Sequence, residues 1–266
     1  MTGGILQNEA PVFVGREAVA DYRLTRSGAG VDIGYNTGYR SEVRFGYQAA
    51  NLQASVKIGD PILPELEGGE RLLRLQGIFD DQDSPMIPSR GLYARGRVSH
   101  ILDVATVVST SPETAAFTPD SEFTTAEIAA NWFKEINSRW RLLAAADGGT
   151  AFGKNPPPPN NFALGGPFRF GAYNVGEIRT SDYLVGSGGI VREFGRLPEV
   201  LGGGVFGGTW LETGSAFDGE GLRANLSTAL IVETLLGPLF AGGSVGFDGR
   251  TRIYIGMGRL FDRGLR

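Results

Sequence analysis

Apolar and polar residues alternate with a period of two almost from end to end of this chain, and that period makes strands with two chemically different faces. In "LYARGRVSHIL", residues 92–102, Leu92, Ala94, Gly96 and Val98 fall on one side. Tyr93, Arg95, Arg97 and Ser99 fall on the other. "NLSTALIV" sets Leu226, Thr228, Leu230 and Val232 against Asn225, Ser227 and Ala229. Near the end, Ile253, Ile255, Met257 and Phe261 share one side. Helical spacing is scarce, so the chain reads as all-β.

About twelve strands are expected, near 12–26, 28–37, 42–58, 71–80, 91–102, 124–136, 139–150, 183–193, 204–216, 223–235, 238–247 and 252–261. Most are about ten residues or longer, which is the length a tilted strand needs to cross a bilayer. Connections alternate as well. "NTGYR", "NSR" and "LLGP" are tight, whereas "GDPILPELEGGE" and "DVATVVSTSPETAAFTPDSE" are long. Short turns at one end and long loops at the other are the habit of outer-membrane barrels. Alternation by itself also describes a soluble β-barrel or solenoid that binds a small ligand.

Composition removes several other classes. The 266 residues carry a formal charge of −4 with both signs dispersed, so no basic face points to nucleic acid. There is no cysteine and a single histidine, His100, which leaves little material for a metal centre or a Ser-His-Asp triad. No cofactor is expected. No apolar run reaches the roughly 18 residues of a spanning helix, and the N-terminal "MTGGILQNEA" lacks the charged and apolar regions of a signal peptide. No shift in composition marks a boundary, so residues 1–266 read as one domain.

One connection is unlike the others. "NNFALGGPFRFGAYNVGE", residues 160–177, holds four glycines, four aromatic rings and one arginine, Arg169. Glycine lets backbone come close to a wall, and rings supply contact area. The 154–182 loop is therefore expected to fold inward rather than stand in solvent. An arginine there needs an acidic partner, because an unpaired buried charge is costly. Glu212 is the candidate, on one face with Phe206, Trp210 and Gly214.

The motifs together resemble the BamA-like (bacterial surface antigen) superfamily of outer-membrane barrels. "FALGGPFRFGAY" is similar to that superfamily's lumen-folded loop motif, through Gly165, Gly166, Gly171 and Tyr173. "FDDQDSPMIPSRG" resembles its acidic turn, and Trp210-Leu211-Glu212-Thr213-Gly214 its aromatic-x-acid-x-Gly strand. Ile255, Met257, Gly258 and Phe261 look like the C-terminal signal strand that such barrels present to the assembly machinery. The order of motifs looks closest to barrels of patatin-like phospholipase type V secretion proteins. The chain departs from that pattern in having no POTRA or passenger domain, about twelve strands rather than sixteen, and Gly171 where the family's arginine stands.

The resemblance implies an outer-membrane barrel, closed by its first and last strands, with a lumen-folded loop locked by Arg169 and Glu212. It implies protein translocation or insertion, or a small loop-gated channel. Outer-membrane lipid, the assembly machinery, a polypeptide client and a second copy of the chain are the expected partners. A membrane anchor detached from a phospholipase passenger is the alternative. Enzymatic signals are weak: no nucleophile elbow is read in the chain, and Asp147-Gly148-Gly149 reads as a turn. Glu127 and Glu135 read as lumen polarity, and His100 as an interfacial ring.

Overall fold

The computed structural model describes residues 2–60, 65–108, 120–198 and 200–258. The sheet opens with β1 (Thr2–Val14), β2 (Glu17–Gly38), β3 (Ser41–Ile58) and β4 (Glu65–Asp80). β5 (Gly91–Asp103) follows, then a short β6 (Thr106–Val108), β7 (Phe123–Glu135) and β8 (Trp140–Thr150). A long connection carries the small hairpin β9 (Phe162–Leu164) and β10 (Ile178–Thr180). β11 (Asp182–Arg196), β12 (Gly202–Ser215), β13 (Leu222–Thr234), β14 (Gly237–Gly246) and β15 (Thr251–Met257) complete the chain.

Twelve of these strands form one antiparallel path in chain order, with β6 attached beside β4 and the β9–β10 hairpin standing apart. Consecutive pairing follows from the tight turns. Between β7 and β8, for example, the Asn137 side chain accepts from the N–H groups of Arg139 and Trp140, each at 3.0 Å.

Twelve spanning strands match the expected number, but the first two are placed differently. The turn falls at Gly15, whose φ is +63°, and residues 17–38 run as one strand. Gly28-Ala29-Gly30 lies inside the ladder, paired with Ala50, Ala49 and Gln48.

The sheet is rolled. Eleven inter-strand steps separate β1 from β15, which in a flat sheet would hold them roughly 50 Å apart. Yet Arg16, in the β1–β2 turn, donates to the Asp248 carbonyl in the β14–β15 turn at 3.1 Å. Among the described residues the two ends meet through side chains only: no backbone ladder joins β15 to β1. The expected closure by the first and last strands is thus an approach without a ladder.

Rolling sorts the two faces. In β12 the even positions Phe206, Trp210 and Glu212 are buried while Thr209 and Leu211 are exposed. In β13 Asn225, Ser227 and Ile231 are buried, and Leu226 and Leu230 exposed. The inner face thus mixes polar groups with rings and Ile231, while the outer face is aliphatic, as a lipid surround requires. Ile253 and Ile255 are 86% and 85% exposed and Met257 is on the same outer face. Gly258 donates its N–H to Pro238 just beyond β15. Phe261 lies outside the described residues.

Candidate functional site

Residues 151–181, between β8 and β11, pack against the inner face. The run Pro156–Pro159 has no N–H donors to give a ladder, and a single 3-10 turn at Pro158–Asn160 ends it. The hairpin β9–β10 then pins the neck of the loop. At its tip Gly165 holds φ +117°, and a β-carbon there would lie 1.9 Å from the Asn174 carbonyl oxygen. Gly171 sits against the wall, where a β-carbon would meet the Ser244 hydroxyl at 2.3 Å. Leu164, Phe168, Phe170 and Tyr173 are all buried beneath this loop. Gly166, the neighbour of Gly165, likewise has positive φ, +92°.

Glu212 is the centre of the tip's attachment. Its carboxylate accepts from the backbone N–H groups of Phe168 at 2.7 Å and Gly171 at 2.6 Å. It also accepts from the Trp210 indole at 2.7 Å and the Asn225 amide at 2.9 Å. Phe168 and Phe170 adopt φ of +66° and +68°, a conformation that costs a bulky side chain energy and that turns the Phe168 and Gly171 N–H groups toward one anion. The strain is offset by the fully buried carboxylate and by the Phe168 ring, which stacks on Trp210. Gly214, on the same face two residues on, is buried beside the neighbouring strand β11.

Arg169 does not meet Glu212. The alternation of backbone conformations at 168–170 turns its side chain to the opposite side, toward β7 and β8. Its Nε donates to Asp147 and its Nη2 to the Tyr183 hydroxyl. Glu127 lies 3.9 Å from the same guanidinium and accepts from Arg97 and Tyr183. Two cations and two carboxylates thus form one buried chain, Arg97–Glu127–Arg169–Asp147. The expected lock is therefore two locks: Glu212 for the backbone of the tip and Asp147 for the guanidinium. Asp147 is no turn residue; it lies within β8 and is 1% exposed.

A third attachment reaches the far end of the sheet. The Tyr173 hydroxyl donates to Asp248 at 3.0 Å, and the Arg250 guanidinium lies 4.1 Å from the centre of the Tyr173 ring. Arg252 donates to the Tyr173 carbonyl at 3.0 Å. Burial pushes the Asp248 carboxyl up, but the Arg250 N–H, the Tyr173 hydroxyl and the Arg250 charge outweigh it and hold the group below its usual range. At the other end, Asn160 donates to Glu70 of β4 at 2.7 Å. The loop therefore spans the rolled sheet from β4 to β15.

The opposite mouth is filled too. The connection 81–90 turns inward and buries Ile87, whose carbonyl accepts from Arg141 at 2.9 Å. Asp83 fixes the turn by accepting from Ser89 and Arg90 N–H groups, and these bonds outweigh burial and keep its carboxyl below the usual range. Ile87 joins Phe133, Phe206, Trp210, Tyr254 and Phe168 in one apolar cluster. The signal for this inward turn is the apolar Met86-Ile87 pair, flanked by two prolines.

Other sequence expectations settle differently. Glu135 stands exposed at the end of β7. His100 bonds Thr124 at 3.0 Å and lies 3.3 Å from Glu122 at the long-loop end. Contrary to the expectation of no nucleophile elbow spacing, Gly-x-Ser-x-Gly occurs at 242–246. It lies inside β14 with Ser244 hydrogen-bonded to Ser227, not on the strand-to-helix turn that such a nucleophile requires.

Known proteins share this architecture. The barrel is similar to the crystal structure of BamA from Haemophilus ducreyi lacking POTRA domains 1–3, with a TM-score of 0.67 at 12% identity. The likeness covers 94% of this chain and 56% of that one, so the chain spans just over half of the BamA structure. No curated protein matches. Residues 9–225 match the Omp85 superfamily domain. That match runs from β1 into β13, through the loop, the acidic turn and the Glu212 strand, and the chain belongs to the Omp85 superfamily of outer-membrane β-barrels.

Proposed function

We propose that this barrel assists insertion or translocation of polypeptides at the outer membrane, working at its wall rather than through its lumen. The observation that carries this reading is the meeting of two loops in one cluster: Phe168 from one mouth and Ile87 from the other. A solute would have to displace both. By contrast, β1 and β15 each pair on one side only among the described residues, leaving backbone donors and acceptors at the junction. Open strand edges are templates for pairing with another chain, and in lipid they are expensive until paired. The junction near Arg16 and Asp248 is the place where a client strand would add.

The absence of cysteine from the chain makes the test clean. Vesicles containing the purified protein should speed the folding of an unfolded barrel client relative to empty vesicles. Bridging Arg16→Cys to Asp248→Cys with a bismaleimide should remove that gain, while the same variant left unbridged keeps it. In a planar bilayer the wild type should insert and stay silent. Steady conductance from the wild type, or unchanged client folding after bridging, overturns the wall reading and favours a loop-gated channel.

A further inference from the structure

The outer face of β4, β5, β7 and β8 is not uniformly covered. Gly77, Gly96, Ile128 and Gly148 lie side by side in one row of paired positions across the four strands. Leu75, Val98, Ala126 and Thr150 form the next row. Gly77 and Gly96 leave a trough beside the flanking aliphatic side chains, an apolar groove of about 490 Å³ bounded by the exposed Ile128. On a surface bathed in hydrocarbon such a trough is filled by an acyl chain.

The third row changes character. Thr124 pairs with His100, two residues beyond Val98 and on the same outer face. A second hollow of about 750 Å³ opens there, lined by His100, Asp120, Glu122, Thr124, Phe152 and Lys154. It lies next to the groove on the long-loop side: His100, Thr124 and Ala151 of the hollow lie within two residues of Val98, Ala126 and Thr150 of the groove. Phe152 is 63% exposed at this level, the position of an interfacial ring. Lys154 lies 3.4 Å from Asp120, and the His100 ring 3.3 Å from Glu122. All four side chains are at least a third exposed, so each can exchange its partner for a ligand.

We propose that the groove and the neighbouring hollow together bind one phospholipid with a zwitterionic phosphoethanolamine headgroup. An acyl chain lies over Gly77 and Gly96. The phosphate meets Lys154 and His100, and the ammonium meets Glu122 and Asp120. Charge selects this class: the rim offers the Lys154 ammonium and two carboxylates together, whereas a polyanionic glycolipid headgroup would meet both carboxylates with its phosphates. The site uses the exposed first residues of the 151–181 connection, Phe152 and Lys154, and does not depend on the insertion reading.

Variants that fill the trough need not disturb the barrel. A β-carbon at Gly77 has no neighbour within 4 Å, and one at Gly96 meets only the Glu127 carbonyl oxygen at 4.0 Å. The full chain, delipidated in detergent, is titrated with dioleoylphosphatidylethanolamine, dioleoylphosphatidylglycerol and lipid A, and bound lipid is counted by native mass spectrometry. One phosphatidylethanolamine per chain is expected, bound at least tenfold more tightly than to the Gly77→Leu/Gly96→Leu variant. Lys154→Gln should weaken binding several-fold with the trough intact. Heat-modifiability on gels confirms that each variant is folded. Equal binding by the wild type and the filled variant overturns the site. Preference for phosphatidylglycerol or lipid A overturns the headgroup assignment.

Discussion

The ring of Phe168 lies on that of Trp210, with centroids 4.3 Å apart and planes 10° from parallel, although Phe168 must hold a left-handed backbone to place it there. The contact and the strain belong together. The same backbone that is unfavourable for phenylalanine presents the N–H groups that Glu212 accepts.

That arrangement makes Glu212 the residue on which the loop tip depends. In Glu212→Gln one acceptor oxygen becomes an amide that faces donors from Gly171 or Phe168. Bonds to a charged acceptor contribute about 1.5–3 kcal/mol each, so the tip should lose at least about 2 kcal/mol. Hydrogen exchange of residues 160–177 should rise by more than tenfold while β12 and β13 stay protected. Unchanged exchange at the tip would show that the aromatic stack alone holds it.

A different outcome is expected for the guanidinium lock. Arg169→Ala leaves Asp147 buried without its cation, and breaking one side of a buried pair costs about 3–5 kcal/mol. Removing both partners leaves a larger hole but no lone carboxylate at position 147. The double variant Arg169→Ala/Asp147→Ala should therefore be more stable than the sum of its parts by about 1–3 kcal/mol. Urea unfolding midpoints of the four proteins in vesicles measure this coupling. Strict additivity would mean that Glu127 and Tyr183 suffice to hold the arginine.

Which parts of this were legible in the sequence follows from how local each property is. Facing along a strand is fixed by the period of two, so Trp210, Glu212 and Gly214 inside and Leu211 outside could be read directly, as could the outward Ile255 and Met257. The partner of Arg169 could not. It depends on how the loop crosses β8, and on two positive-φ phenylalanines that no periodicity announces. Asp147-Gly148-Gly149 has the composition of a turn, yet it is strand. Gly149 is there because the rings of Tyr183 and Phe162 lie where its side chain would be. The first strand was misplaced for a related reason: Gly28 and Gly30 look like a break, and Gly3-Gly4 like a tail, when all four sit in ladders.

The membrane surround makes its own prediction. Leu211 is exposed near the middle of β12, and Leu222 is exposed at the beginning of β13. An arginine on the lipid face costs about 2–4 kcal/mol at the midplane and about 0–1 near the interface. Leu211→Arg should thus impair folding into vesicles far more than Leu222→Arg. In detergent micelles the gap should shrink. Similar effects of the two substitutions would argue against a lipid-facing outer wall.

Acidification should release the loop from the end of the sheet, and the sign of the effect is fixed by Asp248. Its carboxyl sits below the ordinary value because of Arg250 and Tyr173, so its contribution is complete above the unfolded pKa of about 3.9. That contribution is lost as pH falls below 4 and through the lower folded value. Protection of residues 170–177 from protease should therefore hold between pH 7 and 5 and decline below about pH 4. In Asp248→Asn the hydroxyl of Tyr173 keeps an acceptor but Arg250 loses an anion, so protection should start lower at pH 7 and lose most of its acid dependence. A variant that declines as steeply as the wild type would show that Asp248 is not the acid-sensitive group.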